Sequence, residues 1–117
     1  MKTSKAHFKG FVNECKRWIT FWGLHQWRVS YQHKDLKNNN GECEWLRTAK
    51  VAVIRLSKIV DDQPQIKMTA FHEVDELRFA RIRDLAMDRT ATEDQIDEAI
   101  HELIRQDENL IFKTARR

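Results

Sequence analysis

From Ser4 to Trp22 the residues Phe8, Phe11, Val12, Cys15, Trp18, Ile19 and Trp22 recur at steps of three and four, with Lys9, Asn13, Lys16 and Arg17 between them. That rhythm sets one apolar stripe along a helix and predicts burial on that side. Gly23 stands where a left-handed residue closes a helix, and Leu24 can make the apolar contact that goes with such an ending. The period then shortens. Trp27, Val29 and Tyr31 alternate with Arg28, Ser30 and Gln32, which predicts a half-buried strand over Trp27–His33 with His33 at a surface position.

Asp35–Gly41, with its run Asn38-Asn39-Asn40-Gly41, reads as a loop, because Asn and Gly tolerate the positive φ of turns. An extended pattern resumes over Glu42–Thr48 through Cys43 and Trp45. Lys50–Leu56 is a clearer, β-branched strand, with Val51, Val53 and Arg55 on one face and Ala52, Ile54 and Leu56 on the other. Short loops between these runs predict a three-stranded, mainly antiparallel sheet.

Asp62 can cap the next helix and Pro64 suits its first turn. Met68, Phe71, Val74, Leu77, Phe79, Ile82 and Leu85 then predict one long helix from Pro64 to Ala86 or Met87. Thr92-Glu93-Asp94-Gln95 fits a capping box. Ile96, Ile100, Leu103 and Ile104 form the stripe of a last helix reaching Leu110, after which Ile111 and Phe112 are expected to fold back onto the core. Lys113–Arg117 reads as a frayed tail. The order helix, three strands, helix, helix in 117 residues describes a single α+β domain.

Composition refines this picture only slightly. Twenty-one Lys and Arg against 18 Asp and Glu leave a net charge of +3, with both signs interspersed along the chain. Such a pattern describes a solvated surface and argues against a nucleic-acid partner. Cys15 and Cys43 do not form a Cys-x-x-Cys pair, which argues against a disulfide framework or a thiolate zinc knuckle. Phe8–Trp22 is broken by Lys, Glu and Asn, and no apolar run reaches membrane length, so a cytoplasmic protein is expected.

The chemistry concentrates in Met68–Leu77, where His72-Glu73-x-x-Glu76 lies within a predicted helix. His72 and Glu76, four residues apart, stack on one face, while Glu73 is turned by about 100°. Two ligands one turn apart can share a metal ion, with the intervening glutamate moving protons. A third ligand is required, and His101 lies beside Ile100 at the border of the last helix's apolar stripe. His72, Glu76 and His101 would make a two-histidine, one-carboxylate zinc set, with Glu73 as general base. Asp97 or Glu98 would support a ligand histidine. The alternative is an ordinary charged helix carrying a hydrogen-bonded histidine.

Trp22-Gly-Leu-His-Gln-Trp27-Arg-Val, Phe71-His-Glu-Val-Asp-Glu-Leu77 and the segment Ile96–Leu110 together resemble small phage- and prophage-encoded metallopeptidase-like proteins, which are similar to the SprT-like minimal zincins. The resemblance implies that His72 is the first ligand, Glu73 the catalytic glutamate and His101 a downstream ligand. Glu76 stands where zincins carry a second histidine. It further implies a peptide or protein substrate bound along the edge of Val51–Leu56. Two other functions remain open: a catalytically inactive zincin-like scaffold that binds a protein partner, and a nucleic-acid-binding accessory protein.

Overall fold

A computed structural model describes residues 1–112 of the chain. The expected tail Lys113–Arg117 lies outside the described residues. The elements are α1 (Lys5–Trp22), β1 (Arg28–Lys34), β2 (Gly41–Leu46), β3 (Val51–Ser57), α2 (Pro64–Arg78), α3 (Ala80–Ala86) and α4 (Glu93–Phe112). This is the α+β order read from the sequence. Among the described residues, no helix is long and apolar enough to cross a membrane.

Helix α1 starts at a reciprocal cap. The Ser4 hydroxyl accepts from the His7 N–H at 3.1 Å, and His7 Nδ1 accepts from the Ser4 N–H at 3.0 Å. The helix ends at Gly23, whose φ of 69° lets the Leu24 N–H reach the Ile19 carbonyl at 2.9 Å. Phe11, Cys15, Ile19 and Trp22 are its buried face, as their spacing requires.

The sheet is mixed, in the order β1-β3-β2. β2 and β3 pair antiparallel, whereas β1 and β3 pair parallel with Arg28 opposite Val51. Pairing is therefore half parallel rather than mainly antiparallel. The Asp35–Asn40 loop does not close a hairpin; it carries β2 past one strand position, which β3 then fills. Two strand spacings are only about 10 Å, a gap six residues span easily. β3 is consequently the central strand, with both edges paired, so the peptide-binding edge implied for Val51–Leu56 does not exist. The outer strands are β1 and β2. Ala52, Ile54 and Leu56 of β3 face inward and are buried beneath α1 and α2.

The long helix expected over Pro64–Met87 is two helices. Phe79, with φ −89° and ψ 0°, separates α2 from α3. Neither Gly nor Pro marks the break. The turn brings Asp84 of α3 to β2 and its loop, where it accepts from Trp45 Nε1 and Arg47 Nε, each at 3.2 Å. Helix α4 begins at the expected capping box: the Thr92 hydroxyl accepts from the Gln95 N–H at 3.2 Å, and Gln95 Oε1 accepts from the Thr92 N–H at 2.9 Å. Ile111 and Phe112 do not fold back. They continue the helix and stay exposed, leaving Ala99 as the buried residue of α4.

Candidate functional site on helix α2

Helix α2 presents its three candidate residues to three different depths. Ile66, Thr69, Ala70, Glu73, Val74 and Leu77 form its buried side. Glu73 is thus a carboxylate in a largely apolar helix face, only 7% exposed. His72, one residue earlier, is turned outward, with 67% of its side chain accessible, and Glu76 lies between them in depth. His72 Nε2 and Glu76 Oε1 are 3.5 Å apart, while the other Glu76 oxygen accepts from Arg83 Nη1 at 2.8 Å.

Burial sets the chemistry of Glu73. Desolvation raises its pKa from the ordinary 4.5 to about 7; His72 opposes the rise, and Glu76 and Glu42 add to it. Glu73 is one of the residues around a groove of about 340 Å³, with His72, Thr69 and the Asn38–Gly41 loop. Gly41 closes the approach of β2 to α2. A Cβ there would collide with Thr69 Cγ2 and stand 3.3 Å from Glu73 Cγ, so only glycine fits this contact. The Asn38–Asn40 run beside a glycine signalled a turn; it carried no sign that the turn walls a groove.

Cys43 also neighbours this region from β2. Burial, followed by Glu73 and Glu76, pushes its pKa up to about 12, which keeps it a thiol at neutral pH and unsuited to act as a nucleophile.

His101 is placed differently from the expectation. The structure brings His72 and Glu76 together but not His101. On α4, Ala99 faces the protein, and two residues further round the helix His101 is turned about 200° from it. It is exposed, and its Nδ1 lies 2.7 Å from the Asp97 carbonyl oxygen. A carbonyl only accepts, so Nδ1 carries the proton in that contact and Nε2 is left with its lone pair. Of the two carboxylate neighbours considered for a ligand histidine, Asp97 makes contact through its backbone, and Glu98 instead pairs with Arg81 at 3.6 Å.

A zinc ion provides a direct test of the donors. Two ligands on a tetrahedral zinc with bonds of roughly 2.0–2.1 Å stand about 3.4 Å apart. The 3.5 Å between His72 and Glu76 fits that edge. Within one chain the set stops there: among the described residues no group of three or more His, Cys, Asp or Glu is arranged to hold an ion.

His7, in the cap of α1, and His33 have structural surroundings. His33, expected at the surface, is half-buried; it stacks on Phe8 with ring centroids 5.1 Å apart and meets the Thr3 hydroxyl at 2.7 Å. That hydroxyl donates to the Ser57 carbonyl, so His33 Nε2 is the donor in their contact. Burial and Lys58 hold the His33 pKa below its ordinary value.

No family model matches the chain, and neither a curated protein nor a solved structure matches it.

Proposed function

We propose that this chain is a zinc-dependent hydrolase of peptide bonds, a zincin-like domain organised around α2. The observation that carries the reading is the 3.5 Å separation of His72 Nε2 and Glu76 Oε1, with Glu73 on the same turn and buried in the groove wall. Zinc, when bound, supplies a Lewis acid that polarises a carbonyl and eases deprotonation of water. His72 and Glu76 would hold it, and Arg83 orients Glu76 through its second oxygen. Glu73, with a pKa raised to about 7, is suited to take a proton from the attacking water at neutral pH and return it to the leaving amine. An extended peptide can pair with the outer edge of β2, the strand that packs on α2, and reach the groove beside His72.

Elemental analysis of tag-free, zinc-supplied protein is expected to give about one zinc per chain, the count for a single site. Glu73→Gln should keep that zinc and lower peptide hydrolysis by roughly 10²–10⁴-fold, the range for loss of a general base. Zinc content far below one per chain would remove the reading. Hydrolysis unchanged in Glu73→Gln would take Glu73 out of its role.

A second reading, a non-catalytic zincin-like scaffold of phage or prophage type, is favoured by the outward aromatic surface of Phe21 and Phe71 next to His72. Under it, zinc-loaded wild type would show no peptide hydrolysis to lose.

A further inference from the structure

We propose that a polar cavity at the C-terminal end of α2 binds a small-molecule phosphate monoester, with Arg47, Lys50, Arg78 and Arg81 as its cationic wall. The cavity measures about 240 Å³ and shares no residue with the groove around Glu73. Gln26 and Trp27 reach it from the segment after α1, Arg47 and Lys50 from the turn between β2 and β3, Arg78 from α2 and Arg81 from α3. Among the described residues around it, Glu102 is the one acid against four cations.

Lys50 carries most of the weight. It closes the turn between β2 and β3 at φ 55°, with its N–H donating to the Arg47 carbonyl at 3.2 Å. That left-handed conformation suits glycine or asparagine, because a longer side chain's Cβ crowds the backbone there. The turn therefore gains nothing from a lysine, and the reason for one lies in its side chain. The ammonium stands 5.1 Å from the centre of the Trp27 ring, beside the cavity, and among the described residues it has no carboxylate partner. A ring face fixes the position of a cation without using its N–H donors, which stay available to an anion.

The arginines are held in place before any ligand arrives. Arg78, its side chain only 8% exposed, bonds Asp75 at 3.1 Å and Asp107 at 2.9 Å, and its guanidinium lies 3.9 Å from the Trp22 ring centre. Arg81 Nη1 meets Glu102 at 2.8 Å, and Arg47 Nε meets Asp84 at 3.2 Å. These carboxylates weaken the local positive field, yet each pairing occupies only part of a guanidinium that has five N–H donors. The remaining donors form the planar forks that match phosphate oxygens. A phosphoryl group brings nearly two negative charges and three strong acceptor oxygens, which suits several converging cations better than a lone carboxylate does. The cavity is smaller than the roughly 300–1,000 Å³ of sites that enclose a whole ligand, so the phosphoryl enters and the rest of the molecule faces solvent.

Two lysines in the same strained conformation make the test. Inorganic phosphate and glycerol 3-phosphate, titrated into the full chain labelled with nitrogen-15 at low ionic strength, should each shift the Arg47, Lys50 and Arg78 amide signals saturably. Lys50→Gly keeps the turn without strain, so the fold survives, which circular dichroism checks, and the affinity should fall roughly tenfold or more, as loss of a charged donor does. Arg47→Gln should weaken binding in the same way. Lys37, at φ 58° in the Asp35–Asn40 loop, is the control. Lys37→Gly removes the same charge and the same strain away from the cavity, and should leave the affinity within about twofold of wild type. No saturable shift with either probe up to about 20 mM overturns the proposal, as does full affinity in Lys50→Gly or equal weakening in Lys37→Gly. Inorganic phosphate bound while glycerol 3-phosphate is refused overturns the monoester as ligand.

Discussion

Glu73 shows how far one residue's chemistry depends on its depth. The spacing His72-Glu73-x-x-Glu76 marks it as the residue between two possible ligands, and nothing in that spacing says that it is buried. In the fold its carboxyl binds its proton more tightly than in the unfolded chain, since its pKa rises from 4.5 to about 7. The folded state therefore takes up the excess proton, and the contribution of Glu73 to stability is greatest below pH 4.5 and is lost as pH rises through about 7. In chelator-treated protein this group should contribute a decline of at most about 1.4 kcal/mol per pH unit across that window. Glu73→Gln should flatten the decline in urea titrations run at several pH values, and an unchanged slope would place the carboxyl in a wetter setting than its burial indicates. Residue chemistry was legible at His72 and Glu76, because helical spacing alone brings positions four apart together. It was not legible at His101, where the outcome depends on which side of α4 meets the protein.

Among the elements, the contact that shapes the groove is β2 on α2. It is made at Gly41, where the backbone approaches Thr69 and Glu73 too closely for any side chain. Gly41→Ala should force β2 and α2 apart and cost about 1–3 kcal/mol, as overpacking of a tight contact does. Thermal unfolding measures this, and loss of zinc content alongside would tie the groove to the site. A variant as stable as wild type would mean that the two elements separate freely. The cap at Thr92 and the stop at Gly23 were readable, since each acts within one turn of chain. The break at Phe79 and the position of β3 between β1 and β2 were not, because contacts distant in sequence decide them: Asp84 with Trp45 and Arg47 for the break, and the parallel pairing of β1 with β3 for the strand order.

The whole molecule is more extended than a chain of its length needs to be. Its radius of gyration is 15.6 Å, against about 13.4 Å for a compact domain of this size. The difference fits an α4 that leans on α3 through ion pairs and buries only Ala99.

The sequence by itself determined the helices α1 and α4, the stop at Gly23 and the cap at Thr92, the half-buried alternation of β1, the two faces of β3, the α+β order, and the closeness of His72 to Glu76. All of these follow from periodicity and short-range bonding, which act along a few consecutive residues. Tertiary structure alone decided the mixed strand order, the kink between α2 and α3, the burial of Glu73 against Gly41, and the outward face of His101. Each depends on which surfaces exclude water together, and that is a property of neighbours far apart along the chain.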